Sequence, residues 1–345
     1  MTFEVVSLKP NEAFLREYED RAPNGGEIKV TVDYASPKHG TEFNLFRGTD
    51  PFLSNVFDEE YNLFMPDCST KPEPFFMRPG NMFVGRVTEL GEGVTKIALG
   101  QRVAGIGPIR NTQILPESKA WIMPDSMTWK EAVCLNPAQF ALGGVRDSQL
   151  RMGDSAAVFG LGAIGLLAAQ MAKKSGASFV AVIDPIERRR AVALECGADA
   201  ALDPEGCDVG LELKKMTGKR GVDVAIETSG FYPALQQAIR GVAYAGNVAA
   251  VGWYKECSGG LHFGLEAHFN QPNLIFSRAC SDPNRMLGWS FERITNACWQ
   301  MLSGGMFDCE GIVDPVVSFK DAAAAYMEIN RSPEKSIKLG VDFSM

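Results

Sequence analysis

The sequence predicts an α/β protein of two domains, in which a β-rich domain precedes a doubly wound parallel sheet. The chain has 345 residues, and chains longer than about 250–300 residues usually divide into separate hydrophobic cores. Glycines interrupt short apolar segments in its first third. After residue 155, β-branched runs alternate with helical patterns, which is typical of a parallel sheet covered by helices on both faces.

Strands in the first domain are predicted where β-branched and aromatic residues lie between turn-forming residues. Residues 3–8, 27–34 and 82–90 fit this pattern. Residues 35–48 and 51–79 show no periodicity and are predicted to be irregular. The second of these segments is long and aromatic, so we expect either a wall of the substrate site or an ordered surface excursion.

A helical pattern over residues 129–145 leads into the second domain, where six strands are predicted. These strands are residues 155–159, 179–183, 199–202, 222–226, 247–252 and 273–277. The tail is predicted to form a helix, a strand, a helix and a last strand at residues 291–302, 313–319, 320–329 and 336–343. Because we expect this tail to return to the first domain, the predicted domains are residues 1–140, completed by 300–345, and residues 141–299.

Residues 160–165, which read Gly-Leu-Gly-Ala-Ile-Gly, follow the first strand of the second domain and open a helix. Gly160 permits a tight turn out of the strand, Gly162 lets the backbone approach a pyrophosphate, and Gly165 lets the helix lie against the strand. A glycine motif between a strand and a helix is the context that dinucleotide binding requires. The sequence therefore predicts a Rossmann NAD-binding domain.

The residues that follow refine the choice of cofactor. Ala163 and Ile164 begin the helix, so their N–H groups are expected to face the pyrophosphate. Asp184 follows the last glycine by about twenty residues, where an acid hydrogen-bonds both ribose hydroxyls and repels a 2′-phosphate. NAD is therefore favoured over NADP. Arg189 lies in a run of three arginines that could serve a phosphate, but we interpret this run as the solvated start of the next helix.

Composition excludes several classes of function. The net charge is −8 at neutral pH, which argues against nucleic acid or an anionic membrane as a partner. No apolar run is long enough to cross a bilayer, and the first residues do not resemble a signal peptide, so we expect a cytoplasmic protein. The eight cysteines include no Cys-x-x-Cys pair, so we expect reduced thiols and no four-cysteine zinc site.

Three further segments match a family pattern. Residues 39–42, His-Gly-Thr-Glu, are similar to Cys-Gly-Thr-Asp; residues 79–85 are similar to Pro-Gly-His-Glu-x-x-Gly; and residues 135–137, Leu-Asn-Pro, are similar to Leu-Glu-Pro. With the glycine turn, they make the whole chain resemble the medium-chain dehydrogenase/reductase superfamily, the fold of the zinc-dependent alcohol and polyol dehydrogenases. The resemblance implies a GroES-like catalytic domain, a Rossmann domain and hydride transfer with a nicotinamide cofactor.

The same segments depart from the family at its metal site. In the zinc enzymes a cysteine, a histidine and a glutamate or nearby cysteine hold the metal; the matching positions here are His39, Asn81 and Asn136. Zinc prefers thiolate, imidazole or carboxylate ligands, and one imidazole with two neutral amides is a poor set. We therefore expect no catalytic zinc.

Without the metal, other groups must handle the substrate proton. Thr41 matches the threonine that relays this proton in the zinc enzymes. His39 and Lys38 lie beside it, and each can act as a general base in alcohol oxidation or as a general acid in ketone reduction. The alternative for each residue is a hydrogen-bonded side chain that only shapes the pocket.

Asn81 and Asn136 are expected to hydrogen-bond substrate hydroxyls, because an amide can donate and accept at once. Such amides suit sugars, cyclitols and other polyols. The alternative is that the two amides pair with each other and fill the vacated metal site. Glu42, Tyr61 and Gln139 are weaker candidates for substrate binding.

Further cofactor contacts follow from the resemblance. Thr228 and Ser229 lie after the fourth strand of the Rossmann domain, at the turn that runs along the ribose groups in the family. Val251 and Gly252 lie after the fifth strand, where backbone groups usually meet the carboxamide. Ligands bind at the carboxyl ends of such strands, which supports both assignments.

Three functions remain open from the sequence. The first is an NAD-dependent, zinc-independent dehydrogenase that oxidises a secondary alcohol of a sugar, cyclitol or other polyol, or reduces the corresponding ketone. The second is a zinc-free NAD(P)H-dependent quinone or enoyl reductase. The third is a catalytically idle NAD-binding regulator. Kinship also implies a homodimer or homotetramer that pairs the edge strands of its Rossmann sheets.

Overall fold

The computed structural model describes residues 1–67, 74–255, 260–278 and 288–345. The strands are, in chain order, β1 Thr2–Val6, β2 Phe14–Tyr18, β3 Glu27–Ser36, β4 Asn55–Asp58, β5 Leu63–Pro66, β6 Met82–Leu90, β7 Arg102–Ile106, β8 Thr112–Pro116, β9 Trp121–Ile122, β10 Ser155–Phe159, β11 Phe179–Ile183, β12 Ala200–Leu202, β13 Val222–Glu227, β14 Val242–Ala250, β15 Asn273–Phe276, β16 Val313–Ser318 and β17 Lys338–Asp342. The helices are α1 His39–Arg47, α2 Trp129–Val133, α3 Leu135–Asp147, α4 Ala163–Lys174, α5 Glu187–Glu195, α6 Val209–Met216, α7 Tyr232–Gly241, α8 His268–Asn270, α9 Phe291–Ser303 and α10 Ala322–Arg331.

The chain divides into two compact units. The first unit contains residues 1–133 and 313–345, and the second contains residues 134–312. Helix α3 lies wholly in the second unit because it packs on α4 and α9 there, whereas the sequence placed the domain boundary inside this helix. Within the described ranges, no helix has both the length and the apolar character needed to cross a bilayer.

The first unit is built around one sheet. Among its described residues, strands pair in the order β16-β17-β3-β6-β7-β9, and β8 also pairs with β3. The inward faces of this sheet and of helix α10 bury a core that includes Phe46, Phe83 and Tyr326. Strand β17 pairs with β3 through Val341 and Ala35, so the C-terminal tail completes a sheet that begins near the N-terminus.

The second unit contains a parallel sheet in the order β12-β11-β10-β13-β14-β15. All five residues of β10 are buried, as expected for a parallel strand with helices on both faces of the sheet. The strand order reverses between β10 and β13, which is the switch point at which ligands bind in such sheets. The doubly wound parallel sheet predicted from the sequence is therefore confirmed.

The sequence predicted that residues 35–48 are irregular. They instead contain the end of β3 and the helix α1. The helix begins where Oε1 of Glu42 accepts a hydrogen bond of 2.6 Å from the backbone N–H of Lys38. It ends at Gly48, which has φ +73° and donates its N–H to the last turn. Part of the second segment predicted to be irregular also has regular structure, since β4 and β5 form a hairpin.

Candidate active site

The glycine turn after β10 has the geometry that its three glycines predict. Gly160 has φ +82°, and a Cβ added there would lie 2.8 Å from Cβ of Ser229. A Cβ added at Gly165 would lie 1.8 Å from the carbonyl oxygen of Gly160, so helix and turn approach too closely for any side chain. At Gly162, by contrast, an added Cβ meets no described atom within 4 Å. The turn therefore leaves an open space at Gly162, which fits the approach of a pyrophosphate.

Helix α4 starts at this open space. Gly162 is its N-cap, and Ala163 and Ile164 form its first turn. The N–H groups of a first turn have no partner inside their helix, and the helix dipole favours an anion beside them. Because the residues present fit a dinucleotide, Gly162, Ala163 and Ile164 would hold its pyrophosphate when the cofactor is bound.

Asp184 lies directly after β11, beside the same turn. Its side chain is 3% exposed, and its Oδ2 and Oδ1 accept hydrogen bonds of 2.7 and 2.9 Å from the N–H groups of Leu161 and Ile186. Nη1 of Arg189 lies 3.7 Å from Oδ2 of Asp184, and Nη1 of Arg190 donates to the carbonyl of Asp184. The side chains of Arg189 and Arg190 are only 18% and 17% exposed. The three arginines do lie at the start of helix α5, as the sequence predicted, and Arg188 is exposed, but the prediction that the whole run is solvated is wrong for Arg189 and Arg190.

Two more loops of the second unit lie at the carboxyl ends of β13 and β14. The Thr228 hydroxyl donates a hydrogen bond of 2.7 Å to the carbonyl of Gly160, which ties the loop after β13 to the glycine turn. After β14, the N–H groups of Val251 and Gly252 donate to the carbonyl of Glu227 at 2.7 and 3.0 Å. The structure therefore brings the predicted cofactor residues of both loops to one edge of the sheet. Sequence reasoning missed the side chain of Glu227, which accepts hydrogen bonds beneath these loops.

In the first unit, the candidate proton-transfer residues lie at the start of helix α1. Lys38 is its N-cap, and His39 and Thr41 lie in its first turn. The His39 ring stacks on Phe43, with ring centroids 5.3 Å apart and planes 4° apart, and meets Tyr326 edge-on at 6.3 Å. These two aromatic rings fix the plane of the His39 imidazole.

Glu42, predicted as a substrate contact, has both carboxyl oxygens engaged within the unit. Besides the N–H of Lys38, its carboxyl group accepts hydrogen bonds from the N–H of Gly80 at 3.2 Å and from the hydroxyl of Tyr326 at 3.1 Å. Burial raises the pKa of Glu42, and these three bonds and the charge of Lys338 lower it only in part. The carboxyl group thus joins the segments that carry Lys38 and Gly80.

Asn81 follows a glycine that no other residue can replace without a backbone shift. Gly80 has φ +142°, and a Cβ added there would lie 2.4 Å from Cα of Pro108. The Asn81 backbone pairs with Ser36 and Gly107, while its side-chain Oδ1 is buried and has no hydrogen-bond partner among the described residues. A buried acceptor without a partner is costly, so this oxygen is able to accept a hydrogen bond from a ligand.

Asn136 lies in the second unit, near the start of α3. Its Nδ2 donates to Oε1 of Gln139 at 3.1 Å, and Nε2 of Gln139 donates to the Thr295 hydroxyl at 2.7 Å. Oδ1 of Asn136 is buried and, like that of Asn81, has no partner in the described part of the chain. Gln139 thus serves to orient Asn136, and Tyr61, the other weaker candidate, is 68% exposed.

Comparisons with known proteins identify the class of protein. A family model described as zinc-binding dehydrogenase matches residues 163–287. The chain is 46% identical to D-guloside 3-dehydrogenase of Shigella flexneri, over 98% of this chain and 99% of that protein, and 46% identical over the same shares to D-guloside 3-dehydrogenase of Escherichia coli K12. The chain therefore belongs to the medium-chain dehydrogenase/reductase superfamily, and it is an oxidoreductase of the dehydrogenase type.

A solved structure supports the same fold for both domains. The crystal structure of 2R,3R-butanediol dehydrogenase from Bacillus subtilis aligns with a TM-score of 0.78 at 23% sequence identity, covering 99% of each chain. The Rossmann domain and the GroES-like β-rich domain expected from the sequence are thus confirmed.

The residues at the positions of the family's metal site differ from its zinc ligands. In the described ranges, no three His, Cys, Asp or Glu side chains are grouped so that they could hold a metal ion. At the start of α1 and β6 stand an imidazole, His39, and an amide, Asn81, and the nearby carboxylate of Glu42 already accepts three hydrogen bonds. This donor set does not fit a zinc site with thiolate, imidazole and carboxylate ligands.

Proposed function

We propose that this protein is an NAD-dependent dehydrogenase that oxidises a secondary hydroxyl of a sugar ring to a ketone, or catalyses the reverse reaction, without zinc. The observation that carries the cofactor assignment is the open space at Gly162 at the start of α4, with Asp184 hydrogen-bonded to the adjoining Leu161. The substrate class is supported by the two relatives named as D-guloside 3-dehydrogenases, which match the whole chain.

The proposed cofactor contacts lie on the second unit. Gly162, Ala163 and Ile164 would receive the pyrophosphate on the turn that Gly160 and Gly165 shape, and Thr228, Ser229, Val251 and Gly252 would contact the nicotinamide half. When NAD is bound there, it supplies a hydride acceptor for alcohol oxidation. The strands and helices that carry these loops pack around a core of buried apolar side chains.

The preference for NAD rests on Asp184. Its carboxyl group is held by two backbone N–H groups, and a carboxylate in this position repels a 2′-phosphate. Arg189 lies 3.7 Å from it and reduces this repulsion in part. Because Oδ2 of Asp184 accepts the hydrogen bond of Leu161 within the glycine turn, we propose that the charge of Asp184 decides the preference.

Proton transfer is assigned to the first turn of α1. His39 would accept the proton of the substrate hydroxyl as the general base, because an imidazole titrates near neutral pH. Thr41 would relay this proton, since a hydroxyl accepts and donates at once. Lys38 is the second candidate for the base. Glu42 is reassigned from substrate contact to positioning residue, because its oxygens hold the backbone at Lys38 and Gly80.

Substrate hydroxyls are assigned to Asn81 and Asn136. Each amide has a buried Oδ1 without a partner among the described residues, and a sugar hydroxyl could donate to each. Sites that hydrogen-bond a hydroxyl discriminate strongly against analogues that lack it. We therefore propose that these amides select polyhydroxylated substrates.

We also propose that the protein forms a homodimer through β15. This strand is an edge of the parallel sheet, and Phe276 on it is 60% exposed. Unpaired edge strands readily pair with a second chain. Light scattering that gives the mass of a dimer or tetramer would support this proposal, and the mass of a monomer would contradict it.

The reaction is tested by following NADH absorbance with a panel of glycosides, sugars, cyclitols and polyols. Formation of NADH with a glycoside or polyol supports the proposed function. Consumption of NADH or NADPH with quinones or enones, and none with ketosugars, would show a reductase instead. Binding of NAD without turnover of any substrate would show an idle regulator.

A further inference from the structure

The carboxyl group of Glu227 connects two loops of the second unit. Glu227 ends β13 and has no exposed surface. Its Oε1 accepts hydrogen bonds from the N–H of Ser229, at 2.7 Å, and from the Ser229 hydroxyl. Its Oε2 accepts hydrogen bonds from the N–H of Gly230, at 3.1 Å, and from the hydroxyl of Tyr254. One buried carboxyl group therefore holds the loop after β13 and the segment after β14 together.

These loops are packed too closely to move independently. A Cβ added at Gly252 would lie 2.1 Å from the nitrogen of Gly230 and 2.8 Å from Oε2 of Glu227. Because closely packed atoms transmit displacements, a shift of the Glu227 carboxyl group moves the backbone of both loops.

Both carboxyl oxygens of Glu227 must accept hydrogen bonds, because each one faces a backbone donor. Two of the four donors are backbone N–H groups, of Ser229 and Gly230, and these cannot turn into acceptors. Burial and the neighbouring Glu227 raise the pKa of Tyr254, so its hydroxyl keeps its proton at neutral pH and remains able to donate. A carboxamide at position 227 would place an NH₂ group against at least one backbone N–H.

We propose that Glu227 and Tyr254 are positioning residues for the nicotinamide half of the cofactor. The proposal rests on the proposed function, in which Ser229, Val251 and Gly252 lie along the nicotinamide riboside. The adenosine half is assigned to the glycine turn and Asp184, which do not bond to the Glu227 carboxyl group. The Thr228 hydroxyl, which bonds to the glycine turn, is not a donor to the Glu227 carboxyl group, so the pair acts mainly on the nicotinamide half of the dinucleotide, through the backbone that touches it.

The test compares binding of NADH with binding of ADP, which contains the adenosine and pyrophosphate but lacks the nicotinamide riboside. For Glu227→Gln we expect the Kd for NADH to rise about tenfold or more, as expected for loss of a hydrogen bond to a buried carboxylate. The Kd for ADP should change less than about twofold. Tyr254→Phe keeps both backbone bonds to Glu227, so it should raise the Kd for NADH by a smaller factor and leave ADP unchanged.

Asp223→Asn is the matched control on the same strand. At the opposite end of β13, Oδ2 of Asp223 accepts hydrogen bonds of 2.8 and 2.7 Å from the N–H and hydroxyl of Ser155. This variant undergoes the same chemical change without touching the loops, so NADH and ADP should bind as they do to the wild type.

The outcomes separate this proposal from the proposed function. Unchanged NADH binding in Glu227→Gln, or equal weakening of NADH and ADP, would overturn the positioning role. If Glu227→Gln does not fold, an unchanged ratio of the NADH and ADP affinities in Tyr254→Phe would overturn it. A wild-type protein that binds neither NADH nor ADP would contradict the NAD assignment instead.

Discussion

The hydroxyl of Tyr326 donates a hydrogen bond of 3.1 Å to Oε2 of Glu42, although 284 residues separate them in the chain. Tyr326 has no exposed surface, and its ring also packs edge-on against His39. Helix α10 near the C-terminus therefore supports both the carboxyl group that caps α1 and the imidazole proposed as the base. The position of the start of α1 depends on this contact.

Replacing Tyr326 with Phe should weaken the first unit. The variant removes one hydrogen bond to a buried carboxyl group, so we expect the free energy of unfolding to fall by about 1–3 kcal/mol. Tyr244→Phe is the control, because Tyr244 is 66% exposed and donates to Gln271 at the surface. Denaturant unfolding compares the two, and an equal small loss in both variants would contradict the role of Tyr326.

The stability contributed by Glu42 should fall as pH rises. Burial raises the pKa of Glu42 in the folded state, so its favourable contribution is complete below the unfolded pKa and is lost as pH rises through the folded pKa. Wild-type protein should therefore lose stability relative to Glu42→Gln as pH rises above the ordinary range of a glutamate pKa, about pH 4–5.

Glu27→Gln provides the opposite case for this pH series. Arg21 and Asn24 lower the pKa of Glu27 to about 2, so this carboxylate stays ionised over the same range and its contribution should not change. Thermal unfolding at several pH values measures both differences. A constant difference between wild type and Glu42→Gln across the range would show that the Glu42 pKa is not raised.

His39→Asn should lower turnover by about a hundredfold or more, which is the usual contribution of a general base. Added imidazole should restore part of the lost rate, because it can replace the missing base but cannot replace a packing contact. His268→Asn is the control, since His268 is exposed. Wild-type turnover in His39→Asn between about pH 6 and 9 would move the assignment to Lys38.

Asp184→Ser should shift the choice of cofactor. Removing the carboxylate ends its repulsion of a 2′-phosphate and leaves Arg189 nearby, so the ratio of kcat/KM for NADP to that for NAD should rise about tenfold or more. Asp203→Ser, which removes an ion pair with Arg190 at 3.2 Å, should leave the ratio unchanged. An unaltered ratio in Asp184→Ser would show that this carboxylate does not set the preference.

The parts of the fold that sequence reasoning found are those with local signals. The glycine turn and helix α4 are defined by neighbouring residues, so their positions could be predicted closely. The start of β14 could not: it begins at Val242 rather than at residue 247, because its first residues pair with β13 across a register shift. Pairing of this kind depends on residues distant in the sequence.

In the candidate site, too, local motifs could be predicted from the sequence, whereas contacts between distant residues could not. His39 and Asn81 were found because they occupy positions of a family motif. Tyr326 was not found, because its role depends on a contact with Glu42 that no sequence spacing reveals. The partial burial of Arg189 also escaped the sequence, since a run of three arginines is usually solvated.

The most direct test of zinc-free hydride transfer combines elemental analysis with isotope transfer. The protein is purified without added metal, its zinc content is measured, and it is given NAD and a glycoside carrying deuterium at the carbon of the oxidised hydroxyl. We predict deuterated NADH from protein that contains far less than stoichiometric zinc. Stoichiometric zinc whose removal abolishes deuterium transfer would contradict the assignment of the proton to His39 and the replacement of the metal.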